Sequence, residues 1–136
     1  MPSPLNLPAV SFAVTGSPAT SAETVIATSA QLIVDTPQYA VLLTALVDIT
    51  IGTSGTAVTF KLKRGTTTGG TAVTNGAVWG PYAVTATDEY QFTVMGYDIP
   101  GASANLQYVL TATIGSGAAT STVNVVCLSA EVAAYS

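Results

Sequence analysis

Residues 40–66 carry the pattern that most constrains how this chain can fold. In the first half of the stretch every second residue is apolar, and this set comprises Val41, Leu43, Ala45, Val47, Ile49 and Ile51. In the second half Val58, Phe60 and Leu62 repeat the pattern. Successive side chains of a strand point to opposite faces, so both halves predict strands with one buried face. Residues 52–55 include two glycines that favour a tight reversal, and we expect the two strands to pair as a hairpin.

The remainder of the chain also predicts strands separated by turn residues. Further candidates are residues 9–15, 23–28, 30–34, 72–74, 90–95, 106–114 and 121–130. Residues 21–33 have some helical character, but Thr, Val and Ile outnumber strong helix formers there. We therefore predict an all-β fold of about eight to ten strands in two packed antiparallel sheets, a sandwich of the jelly-roll type.

The chain length predicts one domain. A chain of 136 residues can bury one core, and we expect residues 22–136 to form a single β-sandwich. Residues 1–21 are expected to hold an extended Pro-rich arm and a first short strand, because Pro2, Pro4 and Pro8 fix φ and remove donors. No Lys or Arg precedes the first apolar residues, so a secretory signal is not expected.

The chain is unusually poor in charge. Charged residues make up 7% of the sequence, whereas about 25% is usual in soluble domains. Such a surface suits a protein that packs against its own copies or a larger assembly, although a hydroxyl-covered monomer is the alternative. Apolar residues that alternate with the core set are the candidate contacts, and these are Leu42, Leu46, Met95 and Val109.

The charge and residue types argue against several functions. The net charge is −4, and only Lys61, Lys63 and Arg64 are positive, which argues against nucleic-acid binding. No run of 18 apolar residues predicts a membrane span. The chain has no His, which removes the commonest general base and metal ligand. Its single Cys127 excludes an internal disulfide and is expected in or near the core.

The acidic residues do not form a recognisable catalytic or metal site. Asp88 and Glu89 are adjacent and would point to opposite faces of a strand. Asp98 has too few oxygen-bearing neighbours to predict a calcium site. The Gly-rich residues 65–70 lack the Lys and helix of a phosphate-binding loop. We therefore expect no catalytic residue, cofactor or metal, and no enzyme activity.

Three aromatic residues allow two interpretations. Trp79 and Tyr82, together with Tyr97, would suit a platform for a sugar ring. Trp and Tyr are also enriched in packed interfaces because they combine an apolar body with a polar tip, and we favour packing.

Three segments resemble a known class of viral module. VTFKLKRGTTTGGT, YVLTATIGSG and VNVVCLSAEV are similar to the hydroxyl-rich strands of small jelly-roll modules that occur as decoration (cement) proteins and fibre domains on tailed-bacteriophage virions. The likeness spans residues 22–132 and is one of pattern rather than of a signature motif. It implies a homotrimer on the virion surface that binds the major capsid protein, made in the host cytoplasm, with the Pro-rich arm gripping the capsid. No catalytic residue is implied. The alternative is a receptor- or glycan-binding module of a phage fibre or bacterial adhesin, with the three aromatic residues on its rim.

Overall fold

The structure is a computed structural model that describes residues 9–13, 19–34, 39–101, 104–115 and 121–134. Within these ranges all regular structure is extended. The strands are β1 (Ala9–Ala13), β2 (Thr24–Thr28), β3 (Leu32–Val34), β4 (Tyr39–Thr50), β5 (Ala57–Arg64), β6 (Thr71–Ala72), β7 (Val78–Ala83), β8 (Glu89–Asp98), β9 (Ala104–Leu106), β10 (Tyr108–Gly115) and β11 (Thr122–Ala134). Pro2, Pro4 and Pro8 lie outside the described residues.

The strands form two antiparallel sheets. The first sheet has the order β1-β11-β4-β8, and the second has the order β2-β10-β5, with β6 and β7 both paired to the far side of β5. A short ladder joins β3 to β9. The inner faces of the two sheets contribute to one buried apolar cluster. The predicted all-β sandwich of antiparallel sheets is therefore confirmed.

The predicted pairing of the first two long strands is wrong. β4 pairs with β11 and β8 in the first sheet, whereas β5 pairs with β10 in the second. Residues 52–55 therefore carry the chain from one sheet to the other. A period of two identifies which face of a strand is buried, but it does not say whether the next strand lies beside it or across the core. Gly55 suits the crossing, because a Cβ there would lie 2.6 Å from Ile51 Cγ2.

Other strands also depart from their predicted bounds. We expected residues 97–105 to form a connection, but β8 continues to Asp98 because its ladder with β4 extends to the pair of Val41 and Asp98. Residues 79–82, for which we predicted no strand, lie within β7 and contain a cis peptide bond before Pro81. The Gly-rich residues 65–70 connect β5 to β6, as expected of a hairpin loop.

One end of the core is closed by a buried carboxylate. Asp98 is fully buried and lies on the inner side of β8. Arg64, from β5 of the opposite sheet, donates from Nε and Nη2 to its two oxygens at 2.7 and 3.0 Å. The Tyr108 hydroxyl on β10 donates to Asp98 Oδ2 at 2.8 Å. Thr74 donates from its backbone and its hydroxyl at 3.2 and 3.1 Å.

These contacts explain the ionisation of the cluster. Burial by itself would raise the pKa of Asp98, but the hydrogen bonds from Arg64 and Tyr108 outweigh it and hold this pKa below its usual value. Burial, together with the hydrogen bond to Asp98, raises the pKa of Tyr108. Asp98 is therefore a charged structural residue that joins the two sheets. A sequence signal existed, because Arg64 and Asp98 share the alternation of the inward residues on their strands.

We predict that Asp98→Ala lowers the free energy of unfolding by about 3 kcal/mol, because it leaves Arg64 and Tyr108 without their buried acceptor. Glu131→Ala removes an exposed carboxylate and should change that free energy by less than about 0.5 kcal/mol. Urea unfolding of both variants measures the difference. Equal effects would contradict a structural role for Asp98.

We also predict an acid-dependent loss of stability that belongs to Asp98. Its pKa is lower in the folded state than in the unfolded chain, so its stabilisation is fully present above the unfolded value of about 3.9. The stabilisation is lost as the pH falls through the folded-state pKa. Asp98→Asn should therefore flatten the fall in unfolding free energy below about pH 4. An unchanged acid slope in Asp98→Asn would contradict this assignment.

Candidate interaction surface

The outer face of the first sheet exposes several large apolar side chains, and we call it the outer patch. It comprises Leu42, Leu46, Met95, Tyr97 and Val125. Their side chains point away from the core because they alternate with buried residues on β4, β8 and β11. The strand registers place Leu42 opposite Tyr97, and Leu46 between Thr93 and Cys127. The patch is therefore a continuous surface of three neighbouring strands.

Four of the predicted contact residues lie on the outer patch. Leu42 and Leu46 are 46% and 53% exposed, and Met95 is 57% exposed. Tyr97 belongs to the same face, although we considered it first as part of an aromatic platform. The structure thus brings together residues that lie about fifty positions apart in the chain. Whether a partner covers them stays a prediction.

Val125 belongs to the same patch and was missed in the sequence. A bulge at Asn124 places Val123 inward and Val125 outward, 48% exposed, before Val126 turns inward again. Because the bulge breaks the period of two, the apolar run in this strand does not reveal which residues are exposed. Cys127 was expected in or near the core but lies half-buried on this outer face, opposite Leu46.

The predicted exposure of Val109 is wrong. We expected it on the surface as a contact residue, but it is fully buried. It lies on β10, a central strand, between Thr28 of β2 and Lys63 of β5. Side chains from both neighbouring strands therefore flank it, whereas residues on an edge strand have such a neighbour on one side only.

A polar cluster lies near Val109 on the same side of the second sheet. Lys63 Nζ is 2.6 Å from Glu23 Oε2, and the Thr111 hydroxyl donates to that oxygen at 2.7 Å. Burial would raise the pKa of Glu23, but hydrogen bonds from Lys63 and Thr111 outweigh it and lower this pKa. Lys63 is thus engaged within the chain.

The outer patch is bordered by carboxylates and by no cation. All three cationic side chains of the chain lie on β5 in the other sheet. At one end of the patch Asn124 Nδ2 donates to Asp48 Oδ1 at 2.9 Å, and Gln91 Nε2 donates to Asp48 Oδ2 at 3.2 Å. The hydrogen bond from Asn124 lowers the pKa of Asp48, and the hydrogen bond with Asp48 raises the pKa of Glu89. This end therefore holds a carboxyl pair without a neutralising cation.

The three aromatic candidates do not form one platform. Trp79 and Tyr82 are half-buried and pack against the core, and Trp79 Nε1 donates to the Gly76 carbonyl at 2.8 Å. The Tyr82 ring stacks on Phe92 with centroids 5.1 Å apart. Tyr97 instead belongs to the outer patch. Trp79 and Tyr82 thus pack against the core, and whether they also contact a partner stays a prediction.

The described residues contain neither a group of metal ligands nor a helix that could span a membrane. Among the described residues, no three Cys, Asp or Glu side chains are grouped so that they would hold a metal ion. The same part of the chain contains no helix with the length and apolarity needed to cross a membrane.

Comparison with known proteins identifies a fold neighbour but no family. No protein-family model and no curated protein matches the sequence. Among solved structures, a chain from a structure of infectious bursal disease virus, Gx strain, matches with a TM-score of 0.53 and 12% sequence identity. The match covers 91% of this chain and 33% of the viral chain. At this identity the similarity is one of fold, and this chain spans about a third of the neighbour's length.

Proposed function

We propose that this protein is a structural component of a virus particle that decorates and stabilises a tailed-bacteriophage capsid as a homotrimer. It acts by binding rather than by catalysis, and its partners are its own copies and the major capsid protein. The outer patch carries the proposal, because it is an apolar surface without any cation on a chain that is 7% charged.

The outer patch has the properties of a protein-binding surface. Complete burial of a Leu, Val or Met side chain contributes about 1.5–3 kcal/mol, so five half-exposed side chains offer about 5 kcal/mol to a partner. This burial free energy is modest for one binding site. Repetition over a capsid lattice converts modest contacts into strong attachment through avidity. Because few charges take part, the attachment should depend little on salt.

We assign the outer patch to the capsid rather than to the trimer contact. A patch that packs against the same patch of another copy produces a two-fold dimer, whereas a three-fold ring needs two different patches on each copy. The outer patch therefore cannot supply the whole trimer contact, and it remains available for another chain.

The fold agrees with this proposal. The order of the main strands is β1-β11-β4-β8 in one sheet and β2-β10-β5-β7 in the other, and the first and last strands are neighbours. Successive main strands alternate between the two sheets except for β5 and β7, which are neighbours in one sheet, and this pattern supports the jelly-roll type, an architecture used in viral capsids. The fold neighbour from a virus structure supports it further. No observation favours the glycan-binding alternative, because Trp79 and Tyr82 pack against the core.

Light scattering after size-exclusion chromatography tests the oligomeric state. We expect three times the mass of the chain at both 0.1 and 1 M salt, a range over which the Debye length falls from about 10 Å to about 3 Å. Leu46→Asp should leave this mass unchanged, because Leu46 belongs to the capsid contact. A monomer would contradict the homotrimer, and a dimer that Leu46→Asp dissociates would show that the patch binds its own copy.

Co-sedimentation with shells assembled from the major capsid protein of the same virus tests the proposed binding to the capsid. The protein should sediment with the shells, and Leu46→Asp should weaken this binding at least about tenfold, or 1.4 kcal/mol. Val78→Asp is the matched control, because Val78 is 58% exposed on the second sheet, and it should bind normally. Equal losses in both variants would contradict the assignment of the outer patch.

A further inference from the structure

The edge of the first sheet at β8 is open along part of its length. β8 is the last strand in the order β1-β11-β4-β8, and β4 is the only strand with which it forms a ladder among the described residues. Its ladder with β4 runs without a bulge from Glu89 to Asp98. At one end Tyr97 exchanges two backbone hydrogen bonds of 3.0 Å with Asn75, on the side away from β4.

The free backbone groups follow from the alternation of the strand. Every second residue directs its N–H and C=O to the same side, so Met95, Thr93 and Gln91 point away from β4 as Tyr97 does. Gly76 lies against the Met95 carbonyl. The N–H and C=O groups of Gln91 and Thr93 have no backbone partner among the described residues. Both residues are exposed.

This open edge lacks the features that usually protect a sheet edge. Natural edges carry Pro, Lys or bulges, which prevent another strand from adding. β7, at the edge of the second sheet, contains Pro81 and pairs irregularly with β5. β8 has no Pro, no Lys and no bulge. The N–H and C=O groups of Gln91 and Thr93 can therefore form hydrogen bonds with an added strand.

The sequence before β1 has the pattern of such an added strand. Residues 1–8 read MPSPLNLP, and their three prolines, Pro2, Pro4 and Pro8, all occupy even positions. The odd positions 3, 5 and 7 keep their N–H groups. If the backbone N–H groups of the odd residues point toward the β8 edge, the prolines lie at positions whose backbone points away from it. An edge strand tolerates Pro at such positions, because no hydrogen bond to the neighbouring strand is lost. The outward prolines would also prevent a further strand from adding.

The reach of the chain decides which copy provides this strand. β1 begins at Ala9 on the opposite edge of the first sheet, so a strand beyond β8 lies four strand spacings away, about 19 Å. From Leu7 to Ala9 the chain spans two residues, or about 7 Å. Leu5 and Leu7 therefore cannot reach the β8 edge of their own copy.

We propose that residues 5–7 of one copy add as an antiparallel strand to the open part of the β8 edge of a second copy, with Leu5 opposite Thr93 and Leu7 opposite Gln91. Two different surfaces of each copy take part, namely the arm and the edge. Such a heterologous contact closes a ring of three copies when the rotation between neighbours is 120°. The inference rests on the proposed homotrimer and names the contact that holds it.

A pair of engineered cysteines tests this register. Residues opposite each other in a hydrogen-bonded antiparallel pair have Cα atoms about 5.5 Å apart, a distance that a disulfide spans. In a Cys127→Ser background, Leu5→Cys combined with Thr93→Cys should give covalent dimers and trimers on mild oxidation. Asn6→Cys combined with Thr93→Cys is the control. It should form no covalent link between chains, because Asn6 projects to the opposite face.

A pair of proline variants tests the hydrogen bonds. Leu5→Pro removes a donor that faces β8, and it should shift the mass in light scattering from three chains to one. Asn6→Pro makes the same chemical change one residue later, with its nitrogen facing away, and it should remain a trimer.

The outcomes separate this inference from the proposed function. A trimer that neither forms the Leu5→Cys/Thr93→Cys link nor dissociates with Leu5→Pro would overturn the arm exchange and leave the homotrimer standing. A wild-type monomer would overturn both. A link within one chain would overturn exchange between copies, and covalent dimers from Gln91→Cys combined with Thr93→Cys would show that two β8 edges pair directly instead.

Discussion

The structure depends on the burial of one apolar face of each sheet against the other. β4 supplies five buried inward residues to this core, and β5 supplies Val58, Phe60 and Leu62 from the opposite side. The Phe60 ring reaches Phe92 of the first sheet at a centroid distance of 5.2 Å. Since burial of apolar surface is the dominant favourable term in folding, a chain with 7% charged residues and no disulfide can rely on this core. The Arg64–Asp98 pair then fixes how the sheets meet at one end.

The uneven distribution of charge separates the surfaces of the sandwich. The cations all lie on β5, where Arg64 pairs with Asp98 and Lys63 pairs with Glu23. The outer patch on the first sheet is left with apolar side chains and a border of carboxylates. Desolvating a charge costs more free energy than desolvating an apolar group. Because the patch itself carries few charges, its burial against a partner would cost little desolvation energy. The same chain thus presents a face suited to a protein partner and a second sheet with internal ion pairs.

The two edges of the first sheet differ in a way that matters for assembly. One edge is β1, which follows directly from the Pro-rich residues, and the other is β8, whose backbone groups at Gln91 and Thr93 have no described partner. In the proposed exchange, residues 5–7 at one edge and the β8 acceptor at the other would give each copy two complementary ends. Contacts of this kind propagate from copy to copy until a ring closes. The arrangement therefore connects the strand order directly to the proposed oligomer.

The sequence by itself determined the fold class and most residues of the outer patch, because alternation with a period of two is a local property. It indicated the inward faces of β4, β5 and β10, and it identified Leu42, Leu46 and Met95 as outward. Only the tertiary structure decided that β4 and β5 lie in different sheets, since pairing depends on which distant strand is the neighbour. It also decided the burial of Val109 on a central strand and the exposure of Val125 after a bulge. Both depend on neighbours that are far away in the chain, which a local pattern does not contain.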